Sequence, residues 1–159
     1  MMTVSIVCVG KLKEKFFRDA IAEYEKRLSR FCKLKIIELA DEKIPDNASE
    51  TEEKQILERE GKRILSAIAD GTPIIAMCVE GTLISSEELS AKIDSLAMTA
   101  GRAAFVIGGS LGLSDEVKSR AAAKISFGRI TLPHQLMRIV LAEQIYRAFK
   151  ISNNEAYHK

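Results

Sequence analysis

The residues of this chain best suited to chemistry crowd into its last third. It ends in Glu155-Ala156-Tyr157-His158-Lys159, which sets a phenol, an imidazole and an ammonium in a row. Chain ends are commonly frayed and polar, so a free tail is the ordinary meaning of such an ending. Tyr157 and His158 can nevertheless stack on a nucleobase, and Lys159 can meet a phosphate. Arg138 and Arg147 lie upstream in an otherwise apolar segment, where each needs water, an acid or an anionic ligand. Glu143 stands four residues before Arg147, so a helical ion pair is the plainest account of that arginine. His134, just past Pro133, reads equally well as a helix-start side chain with no chemical role.

Three glycine-bearing loops follow apolar runs: Glu80-Gly81, Gly108-Gly109-Ser110-Leu111-Gly112, and Phe127-Gly128-Arg129-Ile130-Thr131-Leu132. In open α/β sheets, ligands collect at such strand ends. The Gly108–Gly112 spacing is neither G-x-G-x-x-G nor a P-loop, so phosphate cradling with Mg²⁺ has no support. Two adjacent glycines permit close approach of backbone to a flat ligand, or simply a sharp turn. His134 and His158 are the only histidines, and no Cys/His/Asp cluster has ligand spacing. No G-x-S-x-G surrounds Ser110. Metal catalysis and nucleophilic triads are rejected.

The elements that must position these residues alternate regularly. Val4–Val9, Leu34–Leu39, Pro73–Val79, Ala103–Ile107 and, more weakly, Lys124–Phe127 read as short strands of the kind covered on both faces. Glu14–Arg30 spaces Phe17, Ile21, Tyr24 and Leu28 at helical intervals. Ser49-x-x-Glu52 and Ser85-x-x-Glu88 match the capping box and open helices to about Asp70 and Thr99. Ser114-Asp115-Glu116 starts a fourth helix, and a fifth runs from Pro133 to about Ile151. This βα alternation predicts an α/β fold with a largely parallel sheet and no internal domain boundary. Apolar residues cover most of the last helix, more than one sheet-facing stripe requires; a homodimer partner is the economical second surface, and burial within the chain alone is the alternative.

Composition sets the outer bounds. With 47% hydrophobic and 29% charged residues, the 159-residue chain is an ordinary globular domain rather than a disordered one. The net charge of +2 conceals a split. Residues 1–100 hold 15 basic and 18 acidic side chains, whereas residues 101–159 hold 9 basic and 4 acidic ones. That asymmetry suggests an anionic partner near the C-terminal third. Cys8 and Cys78 sit in apolar runs and read as buried thiols of a reducing compartment. Neither a signal peptide nor a membrane span is evident, so a cytoplasmic protein with no membrane partner is expected.

Four separated motifs then carry a specific resemblance. They are Phe105-Val106-Ile107-Gly108-Gly109-Ser110-x-Gly112-Leu113, Thr131-Leu132-Pro133-His134-Gln135-Leu136-x-Arg138, Glu143-Gln144-Ile145-Tyr146-Arg147-Ala148 and Tyr157-His158-Lys159. Together with Val9-Gly10-Lys11-Leu12-Lys13 and Val79-Glu80-Gly81, they make the whole chain resemble the RlmH family (ribosomal RNA large subunit methyltransferase H) of the SPOUT superfamily. The resemblance implies a single SPOUT domain over residues 1–159, helices on both sheet faces, a C-terminal trefoil knot and a homodimer. It implies S-adenosylmethionine-dependent methylation of N3 of a pseudouridine in helix 69 of 23S rRNA, within the assembled ribosome. The cofactor would contact Met77, Gly108, Gly109 and the segment Phe127, Gly128, Arg129, Ile130, Thr131 and Leu132. Arg147, Tyr157 and His158 match positions implicated in substrate handling. Many members carry Gly and Pro shortly before the terminal Tyr-His, where this chain has Asn153-Asn154-Glu155-Ala156. Two rival classes are a catalytically silent RNA- or ribosome-binding module of the same fold and a small-molecule α/β enzyme. The second would need the phosphate loop or metal ligands that are missing.

Overall fold

A computed structural model describes residues 1–157, so His158 and Lys159 lie outside the described residues. Five strands and five helices alternate: β1 (Thr3–Val9), α1 (Lys15–Leu28), β2 (Lys33–Leu39), α2 (Glu50–Ser66), β3 (Ile74–Leu83), α3 (Ser86–Thr99), β4 (Arg102–Ile107), α4 (Asp115–Arg120), β5 (Ala123–Ser126) and α5 (His134–Ser152). The strands form one sheet in the order β2-β1-β4-β3-β5, and each pairing is parallel.

The alternating side chains of β1 explain the layering. Val4, Ile6 and Cys8 join one buried cluster with Ile21, Leu28, Leu89, Ile93, Leu141 and Ile145, drawn from α1, α3 and α5. Val7 and Val9 point the other way, into a cluster with Ile64 of α2 and Val117 of α4. Helices therefore cover both faces, as a parallel sheet requires. Ser49 caps α2 with the complete reciprocal box to Glu52. Ser85 and Ser114 each accept one backbone N–H, from Glu88 and Val117.

Several sequence expectations shift. Glu80-Gly81 is not a loop after the third strand but lies inside β3, which continues to Leu83 past a register shift between Met77 and Thr82. Gly81 makes that possible: a Cβ there would lie 2.6 Å from the Ile125 carbonyl carbon, so only glycine lets β3 and β5 approach so closely. Helix α2 stops at Ser66 rather than near Asp70, and Pro133 is the N-cap of α5 rather than part of its first turn. Cys8 and Cys32 are the buried thiols, whereas Cys78 is half-buried. Desolvation pushes Cys8 up to about 12 and Cys32 up to about 11, which keeps both as inert thiols. The wide apolar girth of α5 is met largely within the chain, because α5 packs between α1, α3 and β4. Leu136, Met137, Ile139 and Val140 near its start stay half-buried. Among the described residues, no helix is long and apolar enough to cross a membrane.

Candidate active site

Beside the middle of β3 and beyond the carboxyl ends of β4 and β5 lies a pocket of about 630 Å³. That volume is in the range of small-molecule and cofactor sites. Met77 closes it from β3, Gly108 and Gly109 from the turn after β4, and Phe127, Gly128, Arg129, Ile130, Thr131 and Leu132 from the segment after β5. All the residues expected to hold a cofactor thus converge on one cavity.

Local chemistry shapes each wall. Gly112 takes φ +86° and returns its N–H to the Gly109 carbonyl at 3.0 Å, which closes the tight turn. A Cβ on Gly108 would overlap the Gly112 carbonyl oxygen, so this glycine is required by space rather than by a left-handed backbone. After β5, Ser126 Oγ accepts from the Gly128 N–H at 3.2 Å and donates to its carbonyl at 2.9 Å. Gly128 itself sits at φ +146°. The pocket walls are mainly backbone turns and apolar side chains, as in small-molecule sites generally.

Sequence reasoning missed some lining groups. Lys118 of α4 reaches the pocket and forms an ion pair with Glu80, which raises the lysine and lowers the carboxyl from their ordinary values. His134 and Met137 line it from the start of α5, and Cys78 and Val79 from β3. The Thr131–Arg138 motif was the available signal for the first two.

Arg147 and Tyr157 do not line this pocket. They form a second cluster where α5 meets α1. Arg147 holds Glu143 through Nε at 3.0 Å and Nη2 at 2.6 Å, the helical pair its spacing foretold. Its guanidinium carbon lies 4.6 Å from the centre of the Tyr157 ring, a cation–π distance. Tyr157 in turn meets Tyr146 edge-on, with centroids 5.1 Å apart. The tail is therefore docked as far as Tyr157. His158 lies outside the described residues, so only two of the three expected substrate-handling residues are placed.

Glu155 anchors this tail. Its carboxylate meets Arg30 and Lys150, each at 2.6 Å, and these two cations hold its pKa down to about 2. A depressed folded-state value contributes above the ordinary carboxylate pKa and is lost as pH falls through the folded one. Anchoring of Tyr157 should hold at neutral pH and fade between pH 4.5 and about 2. Tyr157 ring shifts followed by NMR check this, and Glu155→Gln should loosen the ring already at neutral pH and remove the transition.

Arg138 is a different case. It is fully buried, donates to Glu38 Oε2 at 2.7 Å and to the Gly10 carbonyl at 3.1 Å, and so joins α5 to β2 and to the end of β1. The acid it needed lies 100 residues earlier in the chain.

Comparison with known proteins identifies the family of the chain. A family described as "Predicted SPOUT methyltransferase" matches residues 2–158. Ribosomal RNA large subunit methyltransferase H from Streptococcus pneumoniae strain CGSP14 is 56% identical over 159 residues, covering 99% of this chain and 100% of the relative. The protein of the same name from S. pneumoniae strain 70585 matches to the same extent. A solved structure described as a probable methylase family protein from Haemophilus influenzae Rd KW20 aligns with TM-score 0.53 at 14% identity, over 98% of this chain and 70% of the other. That likeness concerns the fold alone. Matched from end to end, the chain belongs to the SPOUT methyltransferase family and, within it, to the ribosomal RNA large subunit methyltransferase H family.

Proposed function

We propose that this protein transfers the methyl group of S-adenosylmethionine to N3 of a pseudouridine in helix 69 of 23S rRNA, within the assembled ribosome. The observation that carries the reading is the convergence of Met77, the Gly108-Gly109 turn and the Phe127–Leu132 segment on one pocket of about 630 Å³. These residues would bind the cofactor, with backbone groups of the two turns meeting its polar edges. When bound, S-adenosylmethionine supplies an electrophilic methyl carbon on a sulfonium, and no metal is required.

The remaining work belongs to the chain. Pseudouridine N3 is an imide nitrogen that becomes a good nucleophile once its proton leaves. His158 is a candidate acceptor because its ordinary pKa lies near neutrality. Proton loss to water serves equally well, and then His158 and Tyr157 stack on the base while Arg147 stabilises charge growing on its oxygens. In-line placement of nucleophile and methyl carbon supplies much of the rate.

Because Arg147 and Tyr157 stand away from the pocket of their own chain, the reading includes a homodimer in which this cluster serves the pocket of a second copy. The half-buried apolar residues at the start of α5 suit such an interface. We also take residues 1–159 as one SPOUT domain acting in the cytoplasm. The passage from β5 back to α5, which brings His134 beside Gly10, is then the threaded turn of a trefoil knot.

The test is incubation with intact ribosomes and methyl-labelled S-adenosylmethionine, followed by nucleoside analysis. Label in N3-methylpseudouridine supports the reading. Label in any other nucleoside, or in none, contradicts it, and the second result with no cofactor binding favours the silent ribosome-binding module.

A further inference from the structure

The turn between β1 and α1 is held with unusual firmness for a surface loop. Gly10 donates its N–H to the Leu39 carbonyl at 2.7 Å, and its own carbonyl accepts from Arg138 Nη2 at 3.1 Å. The Leu12 N–H donates to Glu38 Oε2 at 2.9 Å, the same oxygen that receives Arg138 Nη1. The Lys13 N–H points to Gln135 Oε1 at 3.4 Å. Arg18 Nη1 donates to the Leu12 carbonyl at 3.4 Å and to the Lys13 carbonyl at 2.6 Å. Side chains from β2, α1 and α5 therefore pin this short turn from three sides, and the central one, Arg138, is wholly buried.

The turn presents two ammonium groups to solvent. Lys11 and Lys13 are exposed, and neither takes part in an ion pair among the described residues. Lys15, by contrast, is paired with Asp19 at 2.7 Å.

The location gives these cations meaning. Strands β1 and β4 run parallel with Cys8 opposite Ile107, so the lysine turn and the Gly108 turn leave the sheet at the same edge. A Cβ on Gly109 would lie 3.3 Å from Val9, and one on Gly10 would lie 3.8 Å from His134 Nε2, a pocket-lining residue. The turn that carries the lysines thus adjoins the pocket wall at His134, and exposed Arg129 lines the cavity from the segment after β5.

We infer that Lys11 and Lys13 form a preorganised phosphate-binding lip beside the cofactor pocket, engaging the RNA backbone that flanks the target nucleotide, with Arg138 as the positioning residue that holds the lip in place. The inference rests on the RNA substrate proposed above and assigns part of its binding surface. A turn already fixed by backbone bonds loses little freedom when a phosphate docks. Phosphate contacts of this kind set register and orientation without reading sequence. A small domain with weak net charge needs such an element to hold one base over its pocket.

The test compares wild type with the Lys11→Gln/Lys13→Gln double variant for binding to purified ribosomes across a salt series, alongside S-adenosylmethionine titration. The double variant should bind ribosomes on the order of tenfold more weakly at low salt, with a log–log salt slope shallower by about 1.5. Its cofactor Kd and Tm should match wild type. Arg138→Met retains both lysines, yet should also flatten the salt slope, which a purely structural arginine would not do. Unchanged ribosome affinity and slope in the double variant would overturn the lip, as would a loss confined to cofactor binding. A lower Tm with an unchanged slope in Arg138→Met would overturn its positioning role. Failure of the activity reading is separable: wild type that binds ribosomes through these lysines yet transfers no methyl supports the lip and contradicts the activity.

Discussion

Gly108→Ala should weaken cofactor binding, raising the Kd for S-adenosylmethionine on the order of 100-fold, while the protein remains folded. The cause is steric. A methyl at this position meets the Gly112 carbonyl within the turn and Leu113 Cδ2 at 3.1 Å behind it. The carbonyl is backbone and cannot swing aside like a flexible side chain, so the whole Gly108–Gly112 turn must move. Such overpacking costs about 1–3 kcal/mol of stability, which a domain of this size tolerates. The turn forms one wall of the pocket, so a shift of about an ångström there would remove the contacts proposed to hold the cofactor. Calorimetric titration and thermal melting distinguish the effects. A Kd within a few-fold of wild type would place the cofactor elsewhere.

Arg147→Ala should have the opposite profile: methyl transfer falls about 10²- to 10³-fold while the cofactor Kd stays near the wild-type value. Its side chain does not line the pocket, but it faces the Tyr157 ring at 4.6 Å. Removing it also leaves Glu143 without this partner, so Arg147→Lys serves as the control that keeps a cation near that carboxylate. Mixed dimers give a stronger readout. If the Arg147–Tyr157 cluster serves the pocket of a second copy, Gly108→Ala and Arg147→Ala subunits together rebuild one intact site per heterodimer. Random mixing would then recover about a quarter of wild-type activity from two inactive parents. No recovery would confine the site to a single chain.

Much of the architecture was legible because it depends on neighbours in sequence. The capping box at Ser49 and Glu52, the alternation along Val4–Val9 and the Glu143–Arg147 pair are all satisfied within a few residues. Strand order was not legible, since β5 pairs with β3 and β1 lies between β2 and β4. Which parallel strands become neighbours is decided by how the helices cross over the sheet, and no local pattern encodes that. Gly81 illustrates the limit: it read as a turn residue, yet its lack of a side chain serves close strand approach. Arg138 stood out as a charge on an apolar helix, but its partner Glu38 belongs to an edge strand 100 residues away. The candidate cofactor residues were visible through their glycine turns and the family motifs. That Arg147 and Tyr157 stand apart from them is a consequence of the tertiary fold, which carries α5 away from the pocket toward α1.

The proposed activity is tested by transfer of labelled methyl groups from S-adenosylmethionine to three substrates side by side: intact ribosomes, separated large subunits and free 23S rRNA. Intact ribosomes should be labelled rapidly at N3 of a pseudouridine in helix 69, and the other two far more slowly. Absence of label in all three would contradict the proposed activity, and equal labelling of free 23S rRNA would contradict recognition of the assembled ribosome.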